Sequence, residues 1–133
     1  MSRFQSKSDI LEESAKLLKE KGLFPAVAHC SYFRCFLLIQ HIWYCKLHKT
    51  ESDISTSTLS GGSHSILINE IYLQIRNSGR PNALDNSRLF NTQIGELKRL
   101  RIIADYKDED FSFDKCCRSI ELSDSIVPIL KAI

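Results

Sequence analysis

The sequence predicts an all-α fold, an up-and-down bundle of about five helices that forms one domain over residues 1–133. Apolar residues recur at helical spacing in several segments, and no segment of useful length alternates apolar and polar residues with a period of two. The breaks between these segments are mostly short. A chain of 133 residues with 43% hydrophobic residues has enough apolar side chains for one core.

The first two helices are predicted from their end signals. The stretch SKSDILEESAKLLKEKG contains Asp9 as an expected N-cap and Gly22 as an expected C-terminal stop. Pro25 suits the first turn of a second helix, which we expect over residues 25–48 because no glycine or further proline interrupts it. This second helix is apolar on most of its circumference and is therefore predicted to be the central one.

A linker and a third helix are expected next. Residues 49–62 are small and polar, which predicts the one long loop of the chain. Ser63 is the expected cap of a third helix, which ends before the breakers Gly79 and Pro81.

Two further helices complete the predicted bundle. A fourth helix is expected over residues 86–104, followed by a turn at DYKDED. Ser112 or Asp114 is the expected cap of a fifth helix, which we expect to be kinked or cut near Pro128.

Charge and cysteine usage indicate a reduced, cytoplasmic protein. The net charge of +2 gives no global attraction to nucleic acid or acidic membranes. The five cysteines form an odd set without a CxxC pair, and the N-terminus lacks the apolar core of a secretion signal. The most apolar run, CFLLIQHIWYC, is too short to span a bilayer.

Two polar side chains of the second helix, Arg34 and His41, are seven positions apart and should share one face of it. His48, seven positions later, would continue this line. Arginine grips phosphate and histidine can transfer a proton near neutral pH, so the pair suits chemistry on a phosphodiester. The alternative is structural, with the arginine reaching solvent or a carboxylate and the histidine hydrogen-bonded in the core.

The stretch LKRLRIIADY holds the densest basic cluster, which consists of Lys98, Arg99 and Arg101. Such a cluster extends an RNA-binding groove if it lies near Arg34, and otherwise it is the solvated face of a helix. Asp105 and Tyr106 follow it, and we expect them to hold Arg34 or Arg101 by an ion pair or hydrogen bond, in a structural role.

The stretch SGGSH ends at His64 and precedes the third predicted helix. A glycine loop that leads into a helix N-terminus can hold an anion through free backbone amides, and His64 would assist. The alternative is that the two glycines only let the linker turn into the helix.

No metal or cofactor site is predicted. His41, Cys45 and His48 have atom types that zinc accepts, but the two histidines lie two helical turns apart and do not converge on one point.

Taken together, SYFRCF, the Arg34-x6-His41 spacing, SGGSHSILINEIY and LKRLRIIADYKDEDFSFDKCCRSIELSDSIVPIL resemble a HEPN domain (higher eukaryotes and prokaryotes nucleotide-binding), in particular its compact prokaryotic members. The resemblance covers nearly the whole chain and implies an all-α bundle that is commonly a homodimer. In the ribonucleases of this family, Arg-x4–6-His motifs from two protomers cut RNA without a metal. Arg34 and His41 match this motif, so the resemblance implies that they are catalytic. We predict Tyr44, His48 and His64 as secondary polar groups from their places in the sequence.

The resemblance implies two functions. One is a metal-independent endoribonuclease that acts as the toxin of a toxin–antitoxin pair and is neutralised by a nucleotidyltransferase-type antitoxin. The other is a noncatalytic module that binds a nucleotide or a partner such as a nucleotidyltransferase. The noncatalytic alternative predicts that Arg34 and His41 are engaged in internal contacts, away from any shared groove. A purely structural helical protein without a ligand is the third alternative.

Overall fold

In the computed structural model, which describes residues 1–57 and 61–133, the chain is all-α, and these residues contain no strand. The helices are α1 (Arg3–Glu20), α2 (Phe24–His41), α3 (Glu51–Ser55), α4 (Ser63–Arg76), α5 (Ala83–Tyr106) and α6 (Phe113–Lys131), with a π-helical turn at Ile42–Lys46. None of the helices in these two ranges is both long and apolar enough to cross a bilayer.

Helix α2 is the centre of the bundle, as its apolar circumference predicts. It contacts α1, α4, α5 and α6. Its Tyr32 and Ile39 are completely buried, together with Phe90 and Leu97 of α5 and Leu122 of α6. Because large apolar side chains from several helices meet here, this cluster is the main source of hydrophobic stabilisation.

Helix α1 begins earlier than predicted. Ser2, not Asp9, is the N-cap. The Ser2 hydroxyl accepts a hydrogen bond from the Gln5 amide at 3.2 Å, and the Gln5 side chain accepts one from the Ser2 amide at 2.8 Å. This capping box satisfies amides that no helical carbonyl reaches. Gly22 ends the segment as predicted, with a φ of +73° that favours glycine.

The second predicted helix ends before His48. Pro25 lies in its first turn as expected, and the α-helical part ends at His41. A π-turn follows, in which the Leu47 amide donates to the Ile42 carbonyl at 2.8 Å. His48 then adopts a φ of +53° and leaves the helix. The wider π-turn and this reversal remove His48 from the line of Arg34 and His41.

The predicted linker over residues 49–62 contains a short helix. Thr50 caps α3, since its hydroxyl accepts from the Asp53 amide at 3.3 Å and the Asp53 carboxylate accepts from the Thr50 amide at 2.6 Å. Residues 58–60 of the predicted linker lie outside the described residues. Gly62, one residue before the predicted Ser63, is the N-cap of α4.

The last two helices are longer or more continuous than predicted. Helix α5 begins at Ala83 and includes Tyr106. Ser112 caps α6, and the helix continues through Pro128. Proline removes the hydrogen bond to the carbonyl of Asp124, and both residues are exposed, so water can satisfy that carbonyl.

Candidate functional site

Arg34 is held between α1 and α6 by three hydrogen bonds. Its Nη1 donates to Ser123 Oγ at 3.0 Å and to Asp124 Oδ1 at 2.7 Å, and its Nη2 donates to Glu12 Oε2 at 3.1 Å. The Arg34 side chain is only 11% exposed. Two carboxylates therefore balance its charge, and the guanidinium joins three helices.

His41 belongs to a separate contact. Its Nδ1 and the Ser2 hydroxyl share a hydrogen bond of 2.8 Å. Burial lowers the pKa of His41, and the neighbouring positive charges of Lys46 and of the N-terminus lower it further. The imidazole is therefore neutral at physiological pH, and Ser2 fixes its orientation.

Arg34 and His41 share a side of α2, as their seven-residue spacing predicts. Each borders a small cleft formed by α1, α2 and α6, with a volume of about 30 Å³ at Arg34 and about 70 Å³ at His41. The hydrogen bonds of the two side chains go to different partners, and none in the described ranges joins the pair.

A second polar cluster lies where α2 meets α4 and α5. The His64 ring stacks on Phe36 at a centroid distance of 3.9 Å and shares a hydrogen bond of 2.8 Å with the Tyr32 hydroxyl. Burial lowers the pKa of His64, and Lys98 and Arg101 lower it further. Burial also raises the pKa of Tyr32 to about 12. His64 is therefore a neutral, packed side chain.

Arg101 is part of this cluster and is only 9% exposed. Its guanidinium carbon lies 4.9 Å from the Tyr32 ring centroid and 5.7 Å from that of Tyr106. Its Nη1 lies 3.6 Å from Asp105 Oδ2. His29 Nδ1 lies 2.8 Å from the same carboxylate oxygen. The ion pair confirms the prediction for Asp105, with Arg101 and not Arg34 as its partner. Tyr106 contacts Arg101 through its ring face, not through the ion pair or hydrogen bond that the sequence predicted. The Nε of Arg101 is buried without a hydrogen-bond acceptor among the described residues, and the negative ring faces stabilise its charge.

Lys98 and Arg99 lie outside the cluster around Arg101 and differ in their surroundings. Lys98 Nζ donates to Ser65 Oγ at 3.3 Å and borders an open cavity of about 380 Å³ between α4 and α5. Arg99 is exposed. The basic cluster predicted from sequence is therefore divided among a buried arginine, an exposed arginine and a lysine beside a cavity.

Tyr44 and His48, the remaining predicted polar groups, lie apart from Arg34. The Tyr44 ring stacks on Phe4 at a centroid distance of 5.7 Å, and burial followed by the charge of Glu51 raises its pKa. His48 is exposed in the turn that follows the π-helix. In the described part of the chain, no three His, Cys, Asp or Glu side chains form a group that could hold a metal ion.

The sequence did not predict the hydrogen-bond partners of Arg34 and His41. Ser2 carries a local signal, because a serine three positions before Gln5 is a capping-box pattern. No local sequence signal marks Glu12 or Asp124 as a partner, since only the packing of α1 and α6 on α2 brings them to Arg34.

Comparison with known proteins finds no matching protein family, no matching curated protein and no matching solved structure.

Proposed function

We propose that the protein is a noncatalytic helical module, HEPN-like in architecture, that binds a phosphate-bearing ligand on the face formed by α4 and α5. The ligand is an RNA strand or a nucleotide, and Lys98 is its main contact. The HEPN resemblance stays a prediction supported by the sequence motifs alone.

The observation that carries the proposal is the contrast between Arg34 and Lys98. Arg34 already has two carboxylate partners, so a phosphate would have to displace Glu12 or Asp124. The Lys98 ammonium donates to a hydroxyl, Ser65, and forms no ion pair with a described carboxylate. Its charge is therefore available to an anion at the edge of an open cavity.

The first test is RNA binding by a Lys98→Ala variant. We expect the wild-type protein to bind a labelled single-stranded RNA of mixed sequence at low salt. The variant should bind roughly tenfold more weakly, with a salt dependence reduced by about one ion, because one phosphate contact is lost. Fluorescence anisotropy over a range of salt concentrations measures both quantities.

Lys21→Ala is the matched control for this test. Lys21 is an exposed lysine at the C-terminal end of α1, so the variant carries the same change in net charge away from the cavity. Equal weakening in the two variants would show that only net charge matters. Wild-type affinity in Lys98→Ala, or no RNA or nucleotide binding by the wild type, would refute the proposed function.

A second candidate function is metal-independent RNA cleavage by a homodimer, with Arg34 holding phosphate and His41 transferring the proton. One observation favours it: both residues border clefts formed by the same three helices. The side chains of Glu12 and Asp124 are 37% and 61% exposed, which would let a substrate phosphate compete with these carboxylates for Arg34.

RNA incubation separates the two candidates. We expect the purified protein to leave a labelled RNA intact in the presence of EDTA. His41→Ala and Arg34→Lys should give the same result. Cleavage by the wild type that is lost in both variants, with circular dichroism spectra unchanged, would establish the catalytic alternative.

The homodimer and the nucleotidyltransferase partner also stay predictions. Two exposed apolar side chains of α1, Ile10 and Leu17, lie seven residues apart on one face and support an interface on this helix.

A further inference from the structure

The open cavity of about 380 Å³ between α4 and α5 combines apolar and polar lining. Ile68 and Ile94 are buried and supply apolar surface. Asn69, Asn91 and Lys98 supply the polar groups. The volume lies within the range of small-molecule sites, which begins at about 300 Å³.

Gly95 opens this cavity from the middle of α5. Glycine destabilises a helix interior relative to alanine, so its presence there calls for a reason. A Cβ added at Gly95 would meet no atom within 4 Å, and its φ is not in the left-handed region. Neither close packing nor backbone geometry requires glycine here. Its missing side chain leaves space in the cavity.

The polar groups of the cavity match one ligand class. Asn69 and Asn91 have carboxamides that form no hydrogen bond to another described residue, so their donors and acceptors remain available. A carboxamide pairs in a bidentate manner with the N6–N7 edge of adenine. Lys98, with the Ser65 hydroxyl 3.3 Å away, suits a phosphate. The aliphatic lining supplied by Ile68 and Ile94 suits the apolar face of a base.

We propose that the cavity between α4 and α5 binds one adenosine 5′-phosphate unit, with its phosphate at Lys98 and its base edge at Asn69 or Asn91. The unit is either a free mononucleotide or one residue of a single-stranded RNA. This inference rests on the proposed function, because both use Lys98, and it adds the base and the place where the base lies.

Titration calorimetry of the full chain with AMP, UMP and ribose 5-phosphate tests the free ligand. Anisotropy with labelled oligo(A) and oligo(U) tests the strand. We expect at least one adenine ligand to bind tenfold or more tightly than its uracil counterpart. If AMP and oligo(A) both bind more tightly than their uracil counterparts, the site recognises the adenosine 5′-phosphate unit in either form. If only oligo(A) shows this preference, the ligand is a single-stranded RNA.

Gly95→Leu is the decisive variant, because a leucine side chain would occupy part of the cavity while improving the helical propensity of α5. We expect its melting temperature to be equal to or above that of the wild type, and its affinity for the adenine ligand to fall at least tenfold. Thr92→Leu adds the same side chain at an exposed position of α5 that does not line the cavity, and it should bind as the wild type does. Either Asn69→Ala or Asn91→Ala should reduce the preference for adenine over uracil, and an unchanged preference in both variants would overturn the placement of the base edge.

The outcomes distinguish this inference from the proposed function. Equal binding of AMP, UMP and ribose 5-phosphate, all weakened by Lys98→Ala, would overturn the adenosine proposal and leave phosphate binding intact. Wild-type affinity in Gly95→Leu would overturn the cavity as the binding site. If no phosphate-bearing ligand binds, both proposals are wrong.

Discussion

Replacement of Arg101 by alanine is expected to lower the free energy of unfolding by about 3 kcal/mol. The side chain is almost completely buried, and its guanidinium carbon lies 4.9 Å from the Tyr32 ring centroid and 5.4 Å from that of Phe33. Alanine would remove the cation–π contacts and leave a void beside two large rings, and both changes destabilise the fold. Urea denaturation followed by circular dichroism measures the difference.

Two variants separate packing from charge in this prediction. Arg101→Met keeps an unbranched stem of similar length but no charge, so it should recover about half of the lost stability. Arg99→Ala removes an exposed arginine of the same helix and should change the stability by less than about 0.5 kcal/mol. An Arg101→Ala variant with wild-type stability and impaired RNA binding would contradict the structural role and place Arg101 in the ligand contact.

The helical repeat explains why the predicted basic cluster is divided. Successive residues of an α-helix are about 100° apart, so neighbours in sequence point to different sides. Lys98 and Arg101 are three positions apart, and the positive charges of both lower the pKa of His64. Arg99 lies between them in sequence and is exposed. This division was available from the spacing alone, whereas the burial of Arg101 against Tyr32 and Phe33 of α2 depends on tertiary packing.

Local signals predicted much of the helical framework. Gly22, Pro25 and Ser112 have the expected places at helix ends because backbone geometry and capping act over a few residues. The cap of α3 had a comparable signal, a threonine three positions before Asp53, within a segment that its polar composition assigned to a loop. The π-turn at Ile42–Lys46 had no such signal, since no glycine or proline precedes it in α2 beyond the first turn.

The surroundings of the candidate catalytic pair could not be predicted from the sequence. Spacing correctly placed Arg34 and His41 on one side of α2, because the helical period alone decides it. Whether that side faces a groove or its neighbours depends on contacts across the chain. Glu12 lies 22 positions from Arg34 and Asp124 lies 90 positions away. No periodicity carries information over such separations.

Replacement of Arg34 by alanine is expected to lower the free energy of unfolding by about 2 kcal/mol. The change removes three hydrogen bonds that tie α1 and α6 to α2, including the bond to the buried Ser123 hydroxyl. The exposure of Glu12 and Asp124 limits the effect, because water solvates both carboxylates once the arginine is gone. Urea denaturation at low and at high salt measures the change in the free energy of unfolding. This change should be smaller at high salt, because salt screens the ion pairs.

Asp124→Asn is the matched control, because it removes one charge but retains an acceptor for Arg34 Nη1. Its effect should stay below about 0.5 kcal/mol, since Asp124 is 61% exposed. Arg34→Lys should fall between the two, because an ammonium cannot reproduce the planar contacts to residues on both sides of α2. If Arg34→Ala instead leaves the stability unchanged, the carboxylates do not hold the guanidinium in solution. Arg34 would then be free to meet a phosphate, and the ribonuclease alternative would gain the support that the internal ion pairs now give to the noncatalytic one.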